Sequence, residues 1–389
     1  MELAGYQRGD GRWGFRNHVL VLPVHAAACA VAEQVASRHP GAVAVSHDWT
    51  GHGAAIDVER VERVLLGFAT HANVAATVLI GLDESATALA SAAALRADRI
   101  ELFTLAGCGG SAGTIRAAEP LVERLVAAAA RVAAQPAPVE AINLALECGG
   151  SDALSGITAN PALGIASDLL VAAGGTSILA ETSELIGAEH LLARRAVTPE
   201  VGEAVFAMIA RFERTAGAMG IDLRGGQPVP GNIAGGLTTL EEKSLGAAKK
   251  GGSAPIQSVL EYAEAPRSAG LHVMDTPGND IEQMVGMVAA GCNIVAFTTG
   301  RGTPTGSPIA PCIKIATNSP LYERLTDDLD VNAGTALDEG EPLTEVGERI
   351  YETILATAAG RLTAAERHGN REFSISREQP YACDDRRRA

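Results

Sequence analysis

Aromatic residues are scarce in this chain: they make up 4% of its 389 residues, whereas 47% of the residues are hydrophobic. Its cores must therefore consist mainly of alanine and branched aliphatic side chains. Basic residues are outnumbered, with 31 lysines and arginines against 46 acidic residues and a net charge of −15. Nucleic-acid-binding proteins usually carry a basic surface, so this balance argues against a nucleic-acid partner.

Paired cysteines and long apolar runs are also lacking. The six cysteines are widely spread and form no CxxC pair, which argues against a disulfide framework. No apolar run reaches the ~18 residues that a membrane-spanning helix requires. The N-terminal segment MELAGYQRGDGRWGFRNH is polar, unlike a secretory signal. The sequence therefore predicts a cytoplasmic protein with no membrane partner.

Short apolar runs alternate with segments of helical composition in the first third of the chain. The predicted strands cover residues 18–24, 42–46, 76–82 and 100–106. The predicted helices cover residues 26–37, 56–70, 85–97 and 114–134. This alternation is typical of parallel βαβ units, whose ligand loops follow the carboxyl ends of the strands. The predicted class is α/β, with mostly parallel sheets and Gly-rich ligand loops.

The length of 389 residues favours two or three domains. The segment AAQPAPVEA contains two prolines that disfavour helix, and it predicts a linker around residues 135–138. We therefore predict a first α/β domain at residues 1–136 and a second at residues 137–375. Residues 376–389, which end in CDDRRRA, are predicted to be a disordered tail.

Five loops of the second region combine glycine with small polar residues. They are CGGSDALSGITANP (148–161), GNIAGGLTTLEEKS (231–244), MDTPGND (274–280), TTGRGTPTGSPIAP (298–311) and DVNAGTALDEG (330–340). Any one of them could be a plain turn, but five in one domain favour a cradle for a polyol or a phosphate. None is a P-loop or a dinucleotide fingerprint. The candidate substrate-binding residues are Ser151, Asp152, Thr158, Asn160, Asp275, Thr276 and Asn332, with Arg301 or Lys243 for a carboxylate.

A second constellation lies in the first region. His47 and His52 are five residues apart in SHDWTGHGAA, and Asp83 and Glu84 follow the next predicted strand. Imidazole and carboxylate groups suit a divalent metal ion. The alternative is that these are ordinary surface residues.

Several segments occur in the order found in a known family: CGGSDALSGITANPALG, ETSELIGAEHLLARRAV, PGNIAGGLTTLEEKSLGAAKKGG, VMDTPGND and FTTGRGTPTGSPIAPCIKIATN. Over nearly its whole length the chain resembles the altronate and galactarate dehydratases. The resemblance implies a lyase that removes water from an aldonic or aldaric acid to give a 2-keto-3-deoxy acid. It also implies a divalent metal cofactor, Fe²⁺ or Mn²⁺, beside the substrate carboxylate.

Roles within this chemistry follow from the matching motifs. Lys243 and His190 are candidates for proton transfer, and Arg301 for binding a substrate carboxylate. Glu184 and Glu181 are candidate acid–base groups or further ligands. The candidate metal ligands are His47, His52, Asp83 and Cys148, although Cys148 could equally be a small buried residue beneath its loop.

The chain departs from the family in its first region. Ala27 stands near the place of a family cysteine, His52 stands at the place of another, and GLDES replaces GLGCE. These changes move the ligands from thiolate toward imidazole and carboxylate, or remove the metal altogether. The family often carries a further small domain ahead of this region, and a separate small subunit would supply it, as in the related sulfolactate sulfo-lyase.

Three hypotheses therefore stand: a sugar-acid dehydratase, a sulfo-lyase large subunit that releases sulfite from a sulfonated hydroxy acid, and a non-catalytic paralogue that binds sugar acids. The expected partners are a small hydroxy acid, a small subunit and further copies of this chain.

Overall fold

The computed structural model describes residues 2–378 and confirms the α/β class. The strands are β1 (Leu3–Gln7), β2 (Trp13–Gly14), β3 (His18–Pro23), β4 (Ala42–Ala44), β5 (Val74–Gly81), β6 (Ile100–Thr104), β7 (Gln135–Ala137), β8 (Asn143–Gly149), β9 (Thr176–Leu179), β10 (Ile256–Leu260), β11 (Gly270–Met274), β12 (Ile294–Thr299), β13 (Cys312–Ala316) and β14 (Val331–Asn332). The α-helices are α1 (Cys29–Ser37), α2 (Ala55–Ala69), α3 (Thr87–Ala94), α4 (Ser111–Ala130), α5 (Ala159–Ala172), α6 (Glu189–Ala193), α7 (Pro199–Ala218), α8 (Pro230–Ala234), α9 (Leu240–Ala248), α10 (Asp280–Ala289), α11 (Ser319–Arg324), α12 (Thr335–Asp338), α13 (Leu343–Ala358) and α14 (Ala364–His368). Short 3-10 turns follow β9 (Thr182–Glu184) and α9 (Lys249–Gly251). No helix between residues 2 and 378 is both long enough and apolar enough to cross a membrane.

Two parallel sheets form the frame of the molecule. One contains β4, β3, β5 and β6, in that order, and the other contains β10, β11, β9, β8, β12, β13 and β14. Helical connections cover both faces of such sheets, so their strands are apolar rather than alternating. Strand β12, with the sequence IVAFTT, is accordingly buried at every position.

Helices α2 and α10 pack against each other between the two sheets. Val64 and Phe68 of α2 meet Met284 and Val288 of α10 in a single apolar cluster. The buried residues of α2 recur at helical spacing, which gives the helix one apolar face. The two regions of the chain therefore share a core.

The segment predicted to be a linker is a strand. Strand β7 pairs with β1 in an antiparallel sheet, where Ala4 lies opposite Pro136. Proline has no N–H group and is tolerated at the edge of a sheet, and β7 is an edge strand. The prolines exclude a helix here, and part of the predicted linker forms a short edge strand.

The predicted tail begins with residues that contact the fold. The backbone N–H of Ser376 donates to the hydroxyl of Tyr262 at 3.3 Å, and Glu378 pairs with Arg60. The remainder of that segment, residues 379–389, lies outside the described residues.

His71 joins the first region to the second. Its Nδ1 accepts the N–H of Asn73 at 3.0 Å, so Nε2 carries the proton that is donated to the carbonyl of Cys292 at 3.2 Å. The ring is 2% exposed. Burial, followed by the charge of Arg12, lowers the pKa of His71 to about 3. The folded protein therefore holds this histidine neutral.

We expect the free energy of unfolding to fall as the pH drops below ~6.5, because the unfolded chain then binds a proton that folded His71 excludes. For this group the loss approaches ~1.4 kcal/mol per pH unit until the folded pKa is reached. Chemical denaturation at several pH values should give a shallower pH dependence for His71→Gln than for the wild type. Equal slopes would contradict the assignment.

Candidate active site

The order of the seven-stranded sheet reverses between β8 and β12. The chain leaves β8 toward β9 on one side and leaves β12 toward β13 on the other. In open parallel sheets, ligands bind in the crevice at the carboxyl ends of the strands at such a point. The loop that begins with Cys148 continues from β8, and the loop of Arg301 follows β12. Two of the five predicted ligand loops therefore start at this crevice.

Cys148 lies beneath its loop among buried polar groups. Its thiol is 2.9 Å from the hydroxyl of Ser151 and 3.8 Å from Nδ2 of Asn160. Asn160 also accepts a hydrogen bond at 2.6 Å from Thr298, which ties the loop to β12. Burial raises the pKa of the Cys148 thiol. This environment suits a small buried residue.

Lys243 and Glu184 form a buried ion pair beside this loop. Nζ of Lys243 lies 2.9 Å from Oε1 of Glu184, and the two side chains are 6% and 10% exposed. The ammonium also donates to the side-chain oxygens of Gln227 and Asn232, both at 2.9 Å. These three contacts use all three N–H donors of an ammonium group. Oε2 of Glu184, by contrast, has no hydrogen-bond partner among the described residues.

A cavity of about 10 Å³, room for roughly one water molecule, lies beside this pair. Among the side chains that line it are Ser151, Asp152, Asn160, Glu184 and Lys243. All five were predicted to bind substrate or to take part in catalysis. The structure thus brings together residues that are up to 92 positions apart in the sequence, between Ser151 and Lys243.

Arg301 lies at the rim of the same region. Its side chain is exposed, and its guanidinium packs against the backbone of α8, where a β-carbon at Gly231 would overlap it. Gly231 immediately precedes Asn232, one of the partners of Lys243. Arg301 therefore stands where an anionic group of a ligand in the pocket could reach it.

Lys250 and Glu181 form a second ion pair, deeper in the protein. Their side chains are 0% and 1% exposed. Lys250 is in the turn that continues α9 beyond Lys243, and Glu181 directly precedes the turn that carries Glu184. Glu181 has a left-handed backbone with φ of 73°, which is uncommon for residues other than glycine. The hydroxyl of Thr276 accepts its N–H at 2.8 Å and holds this conformation.

Glu147 and Lys314 are buried charged residues that sequence reasoning missed. They lie on β8 and β13, each directly beside Phe297 of β12. The Lys314 ammonium is 3.5 Å from the centroid of the Phe297 ring, and Gln283 donates to one oxygen of Glu147. The available signal was a charge within an apolar strand, in NLALECG and in CIKIA. Such residues are almost never fully buried unless they are paired.

Asp280 is a third residue to which no role was given, although MDTPGND was singled out as a ligand loop. It is the first residue of α10 and is half-buried. Its carboxyl packs so closely on the end of β8 that a β-carbon at Gly149 would overlap it. Asp280 therefore lies at the base of the loop that begins with Cys148.

Four predicted substrate-binding residues use their polar atoms within the protein. The hydroxyl of Thr158 contacts backbone carbonyls, and Asp275 pairs with Arg211 at 2.6 Å. Thr276 binds the backbone of the neighbouring loop, and the amide of Asn332 bonds to the segments beside β14. In this structure these side chains stabilise loops and strand ends.

Two other predicted residues face different surroundings from those expected. His190 was predicted to transfer a proton, but it is exposed on α6. Glu184, the acid–base candidate six residues earlier, is instead buried in the site. Asp152 lines the pocket, but its oxygens accept hydrogen bonds from the hydroxyls of Ser155 at 2.9 Å and Thr317 at 3.0 Å. Asp152 thereby anchors the loop that begins with Cys148.

Cys148 lies apart from the other three predicted metal ligands. Both ring nitrogens of His47 are bonded to backbone groups, at 2.9 and 3.2 Å. His52 and Asp83 are exposed beside the smaller sheet, whereas Cys148 belongs to the larger one. Over residues 2–378, no three His, Cys, Asp or Glu side chains are arranged to hold a metal ion. The predicted ligand set therefore does not fit a metal centre.

Both regions of the chain match known domain families. Residues 139–381 match the C-terminal domain of D-galactarate/altronate dehydratases. Residues 5–130 match the second domain of D-galactarate dehydratase/altronate hydrolase.

Individual relatives match over most of the chain. The (2R)-sulfolactate sulfo-lyase subunit beta of Chromohalobacter salexigens is 36% identical, with 96% of each chain covered. The altronate dehydratases of Bacillus subtilis and Escherichia coli are each 33% identical; the matches cover 95% and 96% of this chain and 76% and 77% of theirs. All of these relatives are named as dehydratases or as a sulfo-lyase, which are lyases. This chain is likewise a lyase. With both regions matched and the motifs assembled around one crevice, the chain belongs to the D-galactarate/altronate dehydratase family.

Proposed function

We propose that this enzyme dehydrates a sugar acid, an aldonate or an aldarate, to a 2-keto-3-deoxy acid. The observation that carries the proposal is the buried Lys243–Glu184 pair in a pocket lined by small polar side chains. Removing a proton from the carbon next to a carboxylate requires a positioned base. Hydroxyl and amide groups around that base suit a polyhydroxylated substrate.

Within this pair, Glu184 is the better base. The three N–H donors of Lys243 are all used, whereas Oε2 of Glu184 lacks a hydrogen-bond partner within the described chain. Lys243 fixes the carboxylate and offsets its charge. Arg301 at the rim can bind the substrate carboxylate, which directs the adjacent C–H bond toward Glu184.

A divalent ion, Fe²⁺ or Mn²⁺, is part of the proposal on the strength of the family resemblance alone. No step is assigned to it, because the predicted ligands do not fit. We expect that any stoichiometric transition metal in the purified protein persists in His47→Ala, since that imidazole is bonded to the backbone. Elemental analysis of both proteins measures this, and loss of the metal in the variant would restore His47 as a ligand.

A sulfo-lyase is the second candidate. It is favoured by the relative from Chromohalobacter salexigens, which matches over 96% of both chains and is named as a subunit. On the same ground we propose that a small subunit completes this enzyme.

The test is a substrate panel with Fe²⁺ or Mn²⁺ supplied, in the presence and absence of a candidate small subunit. Aldonates and aldarates, including altronate and galactarate, are assayed for 2-keto-3-deoxy acids, and sulfolactate is assayed for sulfite. Formation of a 2-keto-3-deoxy acid from an aldonate or aldarate supports the dehydratase. Sulfite release from sulfolactate, with no 2-keto-3-deoxy acid formed from any aldonate or aldarate, would replace it with the sulfo-lyase.

Arg301 provides a test of substrate orientation. Replacing it with alanine removes a charge-assisted bond worth ~1.5–3 kcal/mol, so KM for the acid should rise ~10- to 100-fold with a smaller change in kcat. Steady-state kinetics measures the effect, with exposed Arg324→Ala as the matched control. An unchanged KM would remove Arg301 from the binding site.

A further inference from the structure

We propose that a cavity lined by four arginines, at the amino end of the smaller sheet, binds a small organic anion that carries two or more carboxylate or phosphate groups. The arginines are Arg8, Arg12, Arg96 and Arg99, and we call this space the arginine cavity. None of the four takes part in the proposed function, and binding at this cavity is independent of it.

The arginine cavity has the size and place of a separate site. Its volume is about 410 Å³, which falls in the range of small-molecule sites. Val74 and Ile100 line it, so it lies where β5 and β6 begin. The ligand loops of the candidate active site instead leave the carboxyl ends of β8 and β12 in the larger sheet. A ligand in the arginine cavity would therefore not occupy the candidate active site.

Two distant segments of the chain form the walls that carry the arginines. Residues 8–12 connect β1 to β2, and residues 95–99 connect α3 to β6. Each connection contributes two of the arginines. The connections pack directly on each other, because a β-carbon at Gly9 would overlap the carboxylate of Asp98. The fold therefore gathers the four side chains around one space.

Arg8 is held in place by the fold and keeps free donors. It donates to the carbonyls of Ala72 at 2.6 Å and Arg16 at 3.1 Å, and to the side chain of Asn17 at 2.9 Å. These bonds use three of the five N–H donors of a guanidinium, so two remain. A guanidinium fixed in this way loses little rotamer freedom when it binds a ligand.

The other three arginines are only partly matched by acidic groups. Arg12 donates to the carboxylate of Asp10 at 2.6 Å and to the carbonyl of Thr70 at 2.8 Å. Within the described chain, the side chains of Arg96 and Arg99 form neither an ion pair nor a hydrogen bond. The cavity thus has four arginines against two aspartates, in a chain whose net charge is −15.

The chemistry of these groups identifies the class of ligand. Burial lowers the pKa of Arg8 to about 10, and the neighbouring charges of Arg12 and Arg99 act in the same direction. An anion among the arginines would offset this repulsion and favour their charged forms. Carboxylate and phosphate groups match the planar fork of a guanidinium with two parallel hydrogen bonds. A ligand with two or more such groups can engage several of the arginines at once.

The arginine cavity also lies at the junction of the two regions. His71 lines it, and the Nε2–H of this ring donates to the carbonyl of Cys292 in the second region. A neighbouring cavity of about 600 Å³ shares Arg12, His71 and Arg96 with it and extends to the end of α10. A ligand that binds only the folded chain at this junction should raise the unfolding temperature.

The test is isothermal titration calorimetry on the whole chain at constant ionic strength, with citrate as the carboxylate probe and pyrophosphate as the phosphate probe. We expect saturable binding of at least one probe and a higher unfolding temperature in its presence. Arg99→Ala should raise Kd at least ~10-fold, the effect of losing a charge-assisted hydrogen bond, and Arg96→Ala should act in the same direction. Both variants should fold normally, because neither side chain has a partner within the described residues.

Two further variants separate this cavity from other sources of binding. Arg124→Ala removes the same charge from an exposed position of α4 outside the cavity, so its Kd should equal that of the wild type. Arg301→Ala alters the candidate active site and should leave binding intact.

Binding of citrate alone would identify a carboxylate ligand and binding of pyrophosphate alone a phosphate ligand, and either result, or binding of both, supports the proposal. Failure of both probes to bind the wild type at millimolar concentration would overturn it. So would equal Kd values for Arg99→Ala and Arg124→Ala, or the loss of all binding in Arg301→Ala.

Discussion

Replacing Glu184 with glutamine is expected to lower kcat for sugar-acid dehydration by ~10²- to 10⁴-fold, the range for a removed general base. Glutamine keeps the shape of the side chain and can still bond to Lys243, but its amide cannot accept the substrate proton. KM should change little, because Arg301 and the hydroxyl-binding groups remain. Steady-state kinetics and deuterium exchange beside the carboxylate measure the result.

The matched control is Glu241→Gln, at an exposed position of α9 next to the site. It removes a carboxylate from the same helix as Lys243 without touching the buried pair, so its kcat should equal that of the wild type. If Glu184→Gln retained exchange and turnover, the base would have to be sought elsewhere in the pocket.

Replacing Lys250 with methionine is expected to destabilise the protein by ~3–5 kcal/mol, the cost of leaving a buried charge without its partner. Lys250 and Glu181 are 0% and 1% exposed, so water cannot compensate for the lost ion pair. Chemical denaturation measures the change. The double variant Lys250→Met with Glu181→Leu should recover most of it, because both charges then leave the interior together.

Neighbouring Lys249 supplies the control. It is exposed and lies in the same turn, so Lys249→Met should alter the free energy of unfolding by no more than ~0.5 kcal/mol. A Lys250→Met variant as stable as this control would mean that Lys250 and Glu181 are both uncharged in the folded protein.

The first-region predictions show what periodicity can and cannot give. Strands β3 to β6 and helices α1 to α4 were predicted within a few residues, because apolar runs and Ala-rich segments are local signals, whereas β1 and β2 were not predicted. The strand at Pro136 was not predicted, because proline permits an edge strand as readily as an irregular connection. The choice depended on β1, more than 120 residues earlier, being available as a partner.

The candidate site shows the same difference between what the sequence predicts and what only the structure reveals. Loop composition predicted Ser151, Asn160 and Lys243, the family resemblance suggested Glu184, and these residues do line one cavity. The set proposed to bind a metal joined residues by sequence spacing alone. Spacing could not reveal that the ring of His47 is bonded to the backbone.

By itself, the sequence determined the α/β class, the Gly-rich loops and the family, because each of these depends on local composition and on the order of motifs. Only the tertiary structure decided which charges meet. Lys250 and Lys314 look like ordinary lysines in KKGG and CIKIA, and Glu147 is one carboxylate in an apolar strand. The packing of distant strands and turns removes water from these groups. That loss of solvent changes their ionisation, and no sequence pattern records it.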